Sequence, residues 1–178
     1  LLRAEVDAVL IGVGTLIADN PALTVRHVEG KHPTRVVIDP NGRAPHDAPI
    51  LTDGMAPVVF VTKPGAPVPP GVEQIEMEPA ECGRFTPEAI VKALHRHGLQ
   101  RILVEGGADT LAGFLDAKAI DLLHVLVAPI ILGSGKAGFS LEPIDQLDEA
   151  IRPRTTVHLF NDGDVLFTCD LRGGRRKG

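Results

Sequence analysis

Tryptophan and tyrosine are absent from this 178-residue chain, and only six phenylalanines are present. A heteroaromatic ligand must therefore be gripped mainly by aliphatic side chains and backbone, since there are too few rings for a stacking platform. Two cysteines, Cys82 and Cys169, stand far apart in unrelated contexts. They form neither a zinc pattern nor a secreted disulfide framework, so a reducing cytoplasm is the expected compartment. A net charge of −5 with acids and bases scattered along the chain leaves no basic stripe, which excludes a nucleic-acid footprint and a polybasic membrane patch. There is no stretch of about 18 apolar residues and no signal or transit pattern. The seven histidines show no metal-ligand spacing. Ser134, between Gly133 and Gly135, lacks the nucleophile-elbow arrangement. The H-x-E and P-C-x-x-C signature of zinc deaminases is missing as well. These absences leave a small molecule as the expected partner and no resident metal.

What is present is a chain with 44% hydrophobic residues, enough for a core within one domain spanning residues 1–178. Ala8 to Val13, Arg35 to Asp39 and Val58 to Thr62 are continuous apolar runs of strand length, which predict strands buried on both faces. VEQIEME from Val72 alternates and predicts an edge strand. Thr86 before Pro87 and Glu88, with Ile90, Val91 and Leu94 at helical spacing, predicts an N-capped helix ending near Gly98. RILVE predicts a further buried strand, Asp109 to Lys118 a helix, and LLHVLVAPIILG from Leu122 a long strand. TVHLF and VLFTCDL around NDGD predict a hairpin. The alternation implies an α/β fold, a mainly parallel mixed sheet with a C-terminal antiparallel hairpin. VLFTCDL would leave an apolar edge, from which a homodimer is expected.

Two segments carry chemistry. In ILVEGGADTL, Ile102 to Leu111, an apolar strand ends in Glu105, two glycines turn the chain, and a helix opens near Asp109. Its unpaired N–H groups suit a phosphate. The alternative is a tight strand-to-helix connection with Asp109 as N-cap, and the full G-x-G-x-x-G fingerprint is absent. In GTLIADNPALTVR, Gly14 to Arg26, Gly14 permits close backbone approach, Thr15 supplies a hydroxyl, and Asp19 and Asn20 before Pro21 initiate a turn. Glu105 lies where open α/β sheets place ligands. Arg3 and Arg26 offer guanidinium forks that fit a phosphate monoester. Asn41 and Arg43 after RVVID, with Lys63 after VVFVT, are candidates for a 2′-phosphate, or are simply exposed loop residues.

These segments, with LRAEVDAVLIGVGT, HPTRVVIDPNGR, VLVAPIILGSG and the terminal DVLFTCDL, resemble the reductase domain of the riboflavin-biosynthesis deaminase/reductase and its stand-alone pyrimidine-reductase relatives. The resemblance spans nearly the whole chain and implies a dihydrofolate-reductase-like three-layer fold. It implies NADPH as cofactor, with Gly106, Gly107, Ala108, Asp109 and Thr110 at the diphosphate and Gly14, Thr15 and Asp19 beside the cofactor, the latter two near its nicotinamide half. Arg3, Leu23, Arg26 and Glu105 then belong to the substrate, a phosphorylated ribosylaminopyrimidine whose ribose is reduced to ribityl. A pterin-like or other pyrimidine substrate, or a non-catalytic nucleotide-binding dimer, are the alternatives. No catalytic acid or base is identified. Relatives carry an N-terminal strand and helix ahead of the position matching Leu1, and such a segment is expected for a complete site.

Overall fold

The computed structural model describes residues 1–135 and 137–174. After a 3-10 turn at Leu2–Ala4 come β1 (Ala8–Gly12), α1 (Val13–Asp19), β2 (Thr34–Ile38), α2 (Pro49–Thr52), β3 (Val58–Thr62), β4 (Glu73–Glu76), α3 (Pro87–Arg96), β5 (Ile102–Val104) and α4 (Ala108–Asp116). Three antiparallel strands complete the order: β6 (Leu122–Val127), β7 (Arg154–Leu159) and β8 (Val165–Asp170).

The first five strands form one parallel sheet in the order β4-β3-β2-β1-β5. Its central strands are apolar on both faces because each face carries a helical layer. Val9 and Ile11 of β1, Val37 of β2 and Phe60 of β3 pack on one side with Val13 and Leu16 of α1 and Ile50 of α2. Ala8, Leu10, Val36, Val59 and Val61 pack on the other with Ile90 and Leu94 of α3 and Phe114 of α4. The register places Ile11 opposite Val37 and Val37 opposite Phe60, so one row of large side chains crosses the sheet. Each such fully buried side chain contributes roughly 1.5–3 kcal/mol. These are the three layers the resemblance implies.

Thr86 accepts a hydrogen bond from Ala89 N–H at 3.3 Å with Pro87 in the first helical position, so α3 starts as its sequence predicts. β4 is the edge strand expected. β5, expected to be buried, is half-buried and only three residues long, because β1 alone pairs with it.

The antiparallel strands are not additions to the parallel sheet but a second sheet, ordered β6-β8-β7. The strand expected from Leu122 stops at Val127, which pairs with Val165, the first residue of β8. Pro129 beyond it has no N–H for a ladder. VLFTCDL is the central, half-buried strand of this sheet, so the expected apolar edge is not there. β7 lies at the edge instead, with all six residues exposed.

One buried charge was not read from the sequence. Arg35, 1% exposed, donates from Nη1 to Asp53 Oδ2 and from Nη2 to the Ala56 carbonyl, both at 2.6 Å. This bond holds the Asp53 carboxyl below the usual carboxylate range. It ties the end of α2 back to the sheet.

Candidate functional site

Parallel strands deliver their carboxyl ends to one edge of the sheet, the place where open α/β sheets bind ligands. Here that edge collects Gly12 and α1 after β1, Asp39 and its loop after β2, Lys63 after β3, and Glu105 with its glycines after β5.

The Glu105 turn is built by close approach. Glu105 N–H donates to the Leu10 carbonyl at 2.9 Å, which keeps the turn against β1. A methyl group on Gly106 would lie 2.7 Å from Ile11 Cγ2 and 3.3 Å from Ile11 Cα, so only glycine fits. Gly107 has φ +59° and is the N-cap of α4, with no side chain capping the helix. Asp109 is thus not the N-cap. It stands exposed in the first turn. The first helical bond runs from Leu111 N–H to the Gly107 carbonyl at 3.1 Å. The N–H groups of Ala108, Asp109 and Thr110 therefore have no intrahelical partners. A bare helix start of this kind attracts an anion by about 0.3–1 kcal/mol from its dipole alone.

Gly14, Thr15 and Asp19 lie on a helix, α1, and the turn expected at Asp19 and Asn20 comes at its end. Val13 and Leu16 face the core, and Asn20 ends α1 in the left-handed conformation with φ 43°. Thr15 and Asp19 are four residues apart and share one face. Gly14 is exposed, and no atom lies within 4 Å of where its side chain would be. Packing within the protein gives no reason for glycine there.

The substrate candidates are brought together, though not as two free arginines. Arg3 donates from Nε to Glu105 Oε1 at 2.8 Å, from Nη2 to Glu105 Oε2 at 2.6 Å, and from Nη1 to the Thr24 carbonyl at 2.9 Å. Hydrogen bonding to Glu105 raises the Arg3 pKa above its usual value, against a smaller opposing effect of burial. Arg3 is therefore the partner of Glu105, and it straps the 3-10 turn to the end of β5. Val25 N–H donates to His32 Nδ1 at 3.0 Å, fixing the same segment from the other side. Leu23, between α1 and this anchor, is 2% exposed and left-handed at φ 54°, a backbone state that costs a non-glycine residue about 1 kcal/mol or more. Arg26 follows, exposed and with no side-chain partner among the described residues.

At the β2 and β3 ends, Lys63 Nζ donates to Asn41 Oδ1 at 3.2 Å, and Arg43 is exposed two residues on. Asp39, which the sequence offered only as the last residue of RVVID, shapes this loop. It is fully buried, its Oδ2 accepts from Ala44 N–H at 2.8 Å, and its Oδ1 has no partner. Two clefts lie away from these residues. One of about 690 Å³ runs along α3 beside the segment after α4, one of about 400 Å³ lies between the end of α4, residues 148–153 and the end of β8, and no candidate residue lines either. The candidate residues gather at the sheet's carboxyl edge. Among the described residues, no helix is long and apolar enough to cross a membrane.

The family model described as the RibD C-terminal domain matches residues 1–163. A 2,5-diamino-6-ribosylamino-4(3H)-pyrimidinone 5′-phosphate reductase of Methanothermobacter thermautotrophicus is 33% identical over 179 residues, covering 97% of this chain and 83% of that one. The riboflavin biosynthesis protein RibD of Aquifex aeolicus is 34% identical over 169 residues, with 94% of this chain matched to 47% of the longer protein. A crystal structure of a diaminohydroxyphosphoribosylaminopyrimidine deaminase/5-amino-6-(5-phosphoribosylamino)uracil reductase from Thermotoga maritima superposes with a TM-score of 0.77 at 29% identity, covering 96% of this chain and 46% of that one. The chain thus spans about half the length of the RibD proteins it matches.

Proposed function

The chain belongs to the RibD C-terminal domain family of riboflavin-biosynthesis reductases, and from that premise we propose that it is an NADPH-dependent reductase of 5-amino-6-(5-phosphoribosylamino)uracil. The ribosyl chain, ring-opened, is reduced at C1′ to ribityl. The observation that carries this reading is the uncapped start of α4 set against β1 by Gly106, with Glu105 at its side.

NADPH, when bound, supplies the hydride. The chain's own residues hold and orient. The N–H groups of Ala108, Asp109 and Thr110 and the bare turn of Gly106 and Gly107 receive the diphosphate. Gly14 lets the cofactor rest on α1, where Thr15 and Asp19 face its nicotinamide half. Asn41, Arg43 and Lys63 meet the 2′-phosphate. Glu105, oriented by Arg3, keeps lone pairs free to accept hydrogen bonds from the pyrimidine or the ribose. Leu23 stiffens the wall that ends in Arg26, and Arg26 holds the substrate phosphate. Alignment and exclusion of water do most of the work in hydride transfer, so no acid–base pair is assigned.

The protein acts in the cytoplasm, in keeping with two unpaired thiols at Cys82 and Cys169. It works as a homodimer. Val157 and Leu159 of the edge strand β7, and Ile130, Ile131 and Leu132 after β6, are exposed apolar side chains that a second copy would cover. Sedimentation at micromolar concentration should give twice the chain mass, and a lone monomer would remove the dimer from the account.

The test is to supply the purified protein with NADPH and either the deaminated uracil or its 2,5-diamino counterpart. NADPH consumption with a ribityl product, detected by mass spectrometry and faster for the uracil, is expected. Preference for the diamino compound would change the substrate. Inactivity toward both would end the reductase reading.

A further inference from the structure

Gly12 has no role in the site as described, yet its geometry mirrors that of Gly107. Gly12 is the N-cap of α1 and Gly107 the N-cap of α4, and neither helix has a side-chain cap. Thr15 is the third residue of α1 and Thr110 the third residue of α4. A methyl group on Gly12 would lie 2.8 Å from Thr110 Oγ1, and one on Gly107 would lie 2.9 Å from Thr15 Oγ1. Each turn leaves a side-chain volume empty, and the hydroxyl of the opposite helix occupies it. Both threonines are half-buried, and neither hydroxyl has a hydrogen-bond partner among the described residues. Neither belongs to the buried side-chain atoms left without a partner, so both hydroxyls stay open to a ligand from outside. Here they border the free N–H groups at the start of α4.

We propose that Gly12 is a positioning residue for cofactor binding: by leaving room for the Thr110 hydroxyl it keeps that hydroxyl in place beside the N–H groups that receive the diphosphate of the dinucleotide, while Gly107 in the same way leaves room for the Thr15 hydroxyl at the nicotinamide half. This rests on the cofactor reading given above. The interlock makes two successive strand-to-helix turns one unit. A threonine at either site displaced into another rotamer loses its place, while the close approach of Gly106 to Ile11 that holds the turn against β1 persists.

The test is NADPH affinity by calorimetry on the whole chain. Gly12→Ala should raise the dissociation constant about tenfold, because the new methyl rotates Thr110 away, with little change in melting temperature. Thr110→Ala should give a similar loss, and Thr110→Ser, which keeps the hydroxyl, should restore near wild-type affinity. The double variant Gly12→Ala/Thr110→Ala should bind no worse than Thr110→Ala alone, since the methyl then meets nothing. Additive losses, or wild-type affinity in Gly12→Ala, would overturn the proposal while leaving the cofactor reading intact. If Gly12→Ala does not fold, the Thr110 pair decides: equal affinity of Thr110→Ala and wild type overturns it. A wild-type chain that binds no NADPH overturns both.

Discussion

Arg26→Ala separates the two arginines that the sequence presents as equals. Arg3 is committed to Glu105 and Thr24, whereas Arg26 is exposed without a side-chain partner among the described residues. If Arg26 holds the substrate phosphate, its removal deletes charge-assisted hydrogen bonds worth about 1.5–3 kcal/mol, or roughly 10–150-fold in kcat/KM. Most of that loss should fall on KM, because the phosphate lies remote from C1′ and is held alike in ground and transition states. Folding stability and NADPH affinity should be unchanged. Arg3→Ala should behave differently: it strands a half-buried Glu105 carboxylate and frees the Thr24 carbonyl, so it should lower the melting temperature and kcat as well as KM-linked binding. The assay is steady-state reduction of phosphorylated and dephosphorylated substrate by wild type and Arg26→Ala. Removing the phosphate should mimic the substitution, and the two losses should not add. Equal impairment of both substrates by Arg26→Ala would refute phosphate recognition by this residue.

Gly106→Ala should cost about 1–3 kcal/mol, because the fully buried Ile11 cannot yield, whereas Gly113→Ala, on the exposed face of α4 with nothing within 4 Å, should gain about 0.5–1 kcal/mol; thermal unfolding of both checks this. NADPH should bind more tightly than NADH, and Lys63→Ala should narrow the gap by weakening NADPH alone, as titration with each cofactor would reveal. The Asp53 carboxyl, held low chiefly by Arg35, adds stability that is fully present above the unfolded carboxylate pKa of about 3.9 and is lost as pH falls below it. Asp53→Asn should therefore be less stable than wild type at neutral pH, with the difference shrinking below about pH 4 in urea titrations.

Elements set by local signals were legible in the chain. VVFVT is a strand over the residues expected, and Thr86–Pro87 opens α3, since a cap and a proline act within one turn. α1 was not legible. Gly14 and the Asn20–Pro21 step look like loop chemistry, and a helix of seven residues is held by packing Val13 and Leu16 rather than by propensity. The separation of the second sheet was equally hidden, because strand pairing depends on partners far along the chain and the apolar run through Ala128 and Pro129 carries no sign of where β8 begins. At the candidate site, the sequence named residues but not the couplings between them. Arg3 and Glu105 are 102 positions apart, and the seat of Thr110 over Gly12 exists only once β1 and β5 are paired. Side chains of the right type can be read from a motif, while the question of which of them remain free for a ligand is answered by the fold.

The most direct test of the central claim follows the hydride itself. NADPH deuterated at the transferring position of its nicotinamide should pass one deuterium to the substrate, and mass spectrometry should place it at C1′ of a ribityl product. The account predicts that label, and predicts its loss in parallel with NADPH binding when Gly107 is replaced by valine. A product without deuterium, or NADPH left unoxidised beside the phosphorylated pyrimidine, would contradict it.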